Sequence, residues 1–106
     1  MVTKLSDQQL VDCSGAYGNE GCGGGFMEQA FWYVIDHGIA TNQTYPYTGS
    51  SGHCTYSLTQ KYAKIGRCAR VPEKNYSKLL SATVQQPVAV AVDSASFYLY
   101  SHGIFT

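Results

Sequence analysis

Gly21-Cys22-Gly23-Gly24-Gly25 stands immediately ahead of an apolar run with helical spacing. Glycine is costly inside a helix or a strand, so three in succession call for a bend. Adjacent glycines at a helix entrance also leave backbone N–H and C=O groups bare, able to pair with an extended peptide laid alongside. Phosphate binding is a rival use of such a block, but the pattern does not fit it. A Gly-x-Gly-x-x-Gly register starting at Gly21 puts Phe26 in the sixth place, and no strand feeds it. No Gly-Lys-Ser/Thr follows, which removes a nucleotide P-loop. A plain tight turn is the remaining alternative.

The flanks of the bend read as helices. In "LSDQQLVDC", Ser6 is an N-cap, Gln9 its capping-box partner three residues on, and Asp7 suits the first turn. Leu5 and Leu10 have the spacing of a hydrophobic staple. After the bend, Phe26, Met27, Ala30, Phe31, Val34 and Ile35 form one broad apolar face, and Gly38 supplies the C-cap. "TYPYTGSSGHC" reads as loop, and periodicity is weak from Thr55 to Arg70. A further helix is expected from Tyr76 or Ser77 to Val84, stopped ahead of Pro87. Val88 to Asp93 alternates like a strand, and "YLYSHGIFT" reads as a turn running into another strand. Helices first and strands later give an α+β class.

A chain of 106 residues buries roughly 65% of its unfolded surface, so a covalent staple is useful. Cys13, Cys22, Cys54 and Cys68 contain no Cys-x-x-Cys pair, and His37, His53 and His102 lack zinc-like spacing, so no metal site is expected. Disulfides, and with them an oxidising compartment, fit better. The sequons Asn42-Gln43-Thr44 and Asn75-Tyr76-Ser77 agree with secretory passage. Seven basic and seven acidic residues are scattered without blocks, which leaves no footprint for nucleic acid or an anionic membrane. The apolar runs are too short to span a bilayer, and "MVTKLSDQQL" lacks the apolar centre of a signal peptide.

"LSDQQLVDCSG", "GCGGGFMEQAF", "TYPYTG", "QQPVAVAVD" and "YSHGIFT" resemble, in order and spacing, the central portion of papain-like cysteine proteases of the cathepsin L-like branch. The resemblance implies a partial papain-like α+β fold. Residues 1–69 would be the second half of the helical lobe and residues 70–106 the start of the β-rich lobe. It further implies a peptidase acting through a thiol, with this chain supplying cleft walls. Gly23, Gly24 and Gly25 would line the cleft, with the Gly25 backbone pairing with the substrate residue two before the cut. Phe26 and Met27, with Ala91 opposite, would border that residue's pocket and favour an apolar side chain. For Met27, core packing is the alternative. By the family pattern Cys13 pairs with Cys54, and Cys22 with a cysteine upstream of this chain. Closing that loop of some forty residues stabilises by about 4 kcal/mol. Cys68 has no counterpart, so it is either a buried thiol or a partner for Cys22.

The family's nucleophile sits in a Cys-Gly-Ser/Ala-Cys signature, with its His and Asn roughly 130–150 residues downstream. Neither the nucleophile nor the catalytic His is expected here. His102 reads as a surface residue, His37 as a favourable charge at a helix C-terminus when protonated, and His53 as loop. The chain alone is therefore expected to hydrolyse no peptide bond and to need no cofactor. Its expected partners are an extended peptide and the remainder of a protease, in a lysosome-like vacuole or outside the cell. Phe31, Val34 and Ile35 would then be core faces left uncovered. Two other readings stand beside this one. One is a non-catalytic relative that binds peptides through the same glycines. The other is a small secreted module stapled by Cys13–Cys54 and Cys22–Cys68.

Overall fold

A computed structural model describes residues 2–91 and 101–103. The chain forms two compact units, Met1–Arg70 and Val71–Thr106.

The first unit begins with α1, Asp7–Cys13, whose N-cap Ser6 accepts from the Gln9 N–H through Oγ at 3.0 Å. The other half of the expected capping box is not made, because the Gln9 side chain has different partners. It is fully buried; Nε2 donates to Tyr33 Oη at 2.9 Å and to the Gly38 carbonyl at 3.1 Å, while Oε1 accepts from the Ala40 N–H at 2.8 Å. The Ser6 N–H is satisfied instead by the Ala40 carbonyl at 2.9 Å. Gln8, 1% exposed, faces another segment. Its Nε2 donates to Asp12 Oδ1 and to the Ser50 carbonyl, and its Oε1 accepts from the N–H groups of Thr48 and Gly49. Buried amides survive only when their donors and acceptors are matched, and both glutamines meet that condition.

Beyond the bend, α2 spans Met27–His37. Its buried residues are Tyr33 and Val34, which cluster with Ile39. The apolar face read from the sequence is thus displaced: Phe26, Met27 and Phe31 are exposed, Val34 is buried and Ile35 is half-buried. Tyr33 displaces them from the core because its hydroxyl finds the Gln9 amide, while its ring meets Tyr17 edge-on at 5.7 Å and His37 at 4.8 Å. Burial pushes the Tyr33 phenol up, and the Gln9 hydrogen bond opposes part of that rise. Of the faces expected to lie uncovered, only Phe31 is open. Gly38, at φ 80°, closes the helix with its N–H on the Val34 carbonyl. Ile39 then bridges Ala63, and Leu5 bridges Thr41, the two isolated β-bridges among the described residues.

The loop after Tyr45 is held to α1 by polar contacts and one covalent bond. Tyr45 Oη donates to Asp12 Oδ2 at 2.8 Å and accepts from the Thr55 N–H; Asp12 Oδ1 also accepts from the Gly52 N–H. The Cys13–Cys54 disulfide joins the end of α1 to this loop across 41 residues. A complete capping box lies in the weakly periodic region, where Ser57 and Gln60 bracket a 3-10 turn, Leu58–Gln60.

In the second unit α3, Tyr76–Gln85, is capped by Asn75, whose Oδ1 accepts from the Lys78 N–H at 3.0 Å. None of its residues is buried. It stops before Pro87, with Gln86 already extended. The expected strand is not formed over residues 88–91, because a strand exists only with a ladder partner and these residues have none among those described. Val92 and Asp93, and the strand expected after Gly103, lie outside the described residues. Gly103, at φ 87°, makes the bend before it. No described helix is long and apolar enough to cross a membrane.

Candidate peptide-binding bend

Gly18 to Phe26 folds back on itself. The Gly23 N–H donates to the Glu20 carbonyl, the Gly24 N–H to the Gly21 carbonyl, and the Glu20 N–H to the Gly24 carbonyl at 2.8 Å. Gly24 is thereby satisfied on both sides. Gly25 is not: among the described residues neither its N–H nor its C=O has a hydrogen-bond partner, and the residue is exposed. A free N–H and C=O on one residue form the pair that an added strand engages.

The three consecutive glycines, Gly23 to Gly25, stand there for different reasons. Gly24 has φ 124° and ψ −179°, a conformation open in practice only to glycine. Gly25 lacks room: a Cβ there would lie 2.5 Å from Asn19 Oδ1. Gly23 meets neither limit, since its nearest neighbour, Glu20 Cβ, would be 3.6 Å away. Within this triplet the neighbour that comes so close to the backbone is the Asn19 side chain, at Gly25.

Beside the bend lies a shallow groove of about 320 Å³, lined by Gly24, Gly25, Phe26, Met27 and Ala30 together with Leu10 and Val11 of α1. Met27 is 39% exposed and Phe26 68%, so both apolar side chains are available at the groove rather than committed to the core. Of the residues singled out from the sequence, Gly24, Gly25, Phe26 and Met27 come together here. Gly23 belongs to the bend but not to the groove lining. Ala91 is an exposed residue of the second unit.

Cys13 and Cys54 are bonded, whereas Cys22 and Cys68 are both free, so the doubly stapled module is not what this chain forms. Cys68 is half-buried; Cys22 is exposed, its N–H donating to Ser51 Oγ at 2.9 Å. His37 does more than end α2. Its ring stacks near Tyr33 and lies 3.3 Å from Tyr17 Oη, which also donates to Asp36. That carboxylate contact holds the Tyr17 phenol above its usual range. His53 and His102 are exposed, and the His102 ring contacts Ser101 Oγ at 3.0 Å. Sequence reasoning passed over Asn19, which contacts the bend directly. Its only signal was an asparagine after a glycine, a pairing common to many turns.

Residues 1–106 match the family described as papain family cysteine protease. The chain is 41% identical to Cysteine proteinase 6 of Dictyostelium discoideum, covering 98% of this chain and 25% of that protein. It is likewise 41% identical to Cathepsin S of Bos taurus, covering 98% and 33%. Among solved structures, the digestive procathepsin L 3 of Tenebrio molitor larval midgut superposes with a TM-score of 0.76 at 36% identity, over 80% of this chain and 28% of that one. The proform of the Amb a 11 cysteine protease, a ragweed pollen allergen, gives 0.74 at 41% identity, over 81% and 26%. The chain thus spans about a quarter to a third of the length of these relatives.

Proposed function

The chain belongs to the papain family of cysteine proteases, with a partial papain-like fold, and from that premise we propose that it supplies the substrate-docking wall of a thiol endopeptidase. An extended peptide lies along the bend, pairing its main chain with the Gly25 N–H and C=O. The side chain of the paired residue enters the groove beside Phe26 and Met27. An apolar or aromatic side chain is the one this lining favours. The observation that carries the reading is the unpartnered, exposed amide and carbonyl of Gly25 next to two uncovered apolar side chains.

In this reading residues 1–69 belong to the helical lobe and residues 70–106 open the β-rich lobe. The remainder of the protease provides the nucleophile, its histidine and the oxyanion donor. The chain alone then hydrolyses nothing. The Cys13–Cys54 bond supports an oxidising compartment, such as a lysosome-like vacuole or the cell exterior.

A nitrogen-15 NMR titration of the chain with acetyl-Ala-Phe-Ala-amide tests the docking wall. Shifts confined to Gly24 through Ala30 are expected, and an unmoved Gly25 amide at saturating peptide would refute it. A fluorogenic peptide assay on the same sample should give no turnover. Turnover that iodoacetamide abolishes would overturn the assignment of the catalytic groups to other segments.

A further inference from the structure

We propose that Asn19 is a positioning residue for peptide docking, fixing the direction in which the Gly25 carbonyl points; the proposal rests on the docking reading above. Asn19 Oδ1 accepts from the Phe26 N–H at 2.8 Å. That N–H and the Gly25 C=O belong to one peptide unit. The bond is trans and planar, so the two groups point to opposite sides. Holding the N–H on Asn19 therefore turns the carbonyl away from Asn19, and the carbonyl has no other partner among the described residues. The side chain of Asn19 is itself anchored. Its Nδ2 donates to Ser14 Oγ at 2.9 Å, and Ser14, 1% exposed, donates to the Leu10 carbonyl of α1 at 2.7 Å.

The same contact explains the glycine. An approach this close leaves no space for a Cβ at residue 25, where Oδ1 would stand 2.5 Å away. Phe26 is the N-cap of α2, and its N–H, which a capping box would satisfy from inside the helix, is met here by Asn19 from outside it. Asn19, which also lines the groove, thus acts on the peptide plane that docks a ligand.

The test compares two probes on the full chain by NMR titration: acetyl-Ala-Phe-Ala-amide and the same peptide N-methylated at Phe. Methylation removes the donor that the Gly25 carbonyl receives, so the unmodified chain should prefer the first probe on the order of tenfold. Asn19→Ala should reduce that preference to near unity, and Asn19→Asp, which keeps the acceptor, should retain most of it. A loss of general order would weaken both probes equally and leave their ratio unchanged. If the unmodified chain discriminates and Asn19→Ala does so equally, the role of Asn19 is refuted while docking at Gly25 stands. If the unmodified chain does not discriminate, docking at Gly25 falls and the role of Asn19 with it. Should Asn19→Ala fail to fold, Asn19→Asp decides: retained preference supports the proposal, and lost preference overturns it.

Discussion

The two units of the chain hold their helices by opposite means. In the first, α1 is gripped by segments distant in sequence: Gln8 reaches residues 48–50, Gln9 reaches residues 33–40, and Cys13 is bonded to Cys54. In the second, α3 has no buried residue, and the contact that caps it comes from Asn75, its immediate neighbour. A ten-residue helix whose support among the described residues is local is marginal in water. The difference teaches that the two helices are held by different means, α1 by buried amides and a disulfide from distant segments and α3 by a neighbouring cap.

The largest effect that would sharpen this contrast comes from the disulfide. Replacing Cys13 and Cys54 together by alanine should lower the stability of the first unit by about 4 kcal/mol. Urea denaturation followed through Trp32 reads that loss, and hydrogen exchange in α3 should not change. Next, Gln9→Ala strands the Ala40 N–H and the Gly38 carbonyl and should cost about 2–3 kcal/mol in the same titration. An effect within 0.5 kcal/mol, the range of an ordinary surface substitution, would break the claim that buried amides organise the unit. Smallest is Asn75→Ala, which removes the cap of α3 at about 1 kcal/mol. Cα chemical shifts of residues 76–80 should drift toward coil while α1 and α2 keep theirs.

What the sequence made legible were the features with local causes. Ser6 and Asp7 opened α1, Gly38 closed α2, and Pro87 ended α3 within one residue of the expected place. The Cys13–Cys54 pair followed from the family resemblance. The buried side of α2 did not, because Tyr33 is admitted to the core by an amide 24 residues earlier. Gln9 was read as a capping partner for the same reason: its true partners lie across the fold. The strand over residues 88–91 was unreadable because alternation marks a residue's suitability for a sheet and not the presence of a neighbour. At the bend the glycines were conspicuous, yet their separate causes were not, since one depends on a backbone angle and another on Asn19.

Gln8 and Gln9 are adjacent, and each holds one end of the stretch between Gly38 and Ser50. A single dipeptide thus sets the register of both ends at once, while Gln43 and Thr44, in the turn between them, are exposed. Extra chain grafted between those two residues would lengthen the excursion without disturbing either anchorage. That turn is the natural port for a tag, a fluorophore or a second domain.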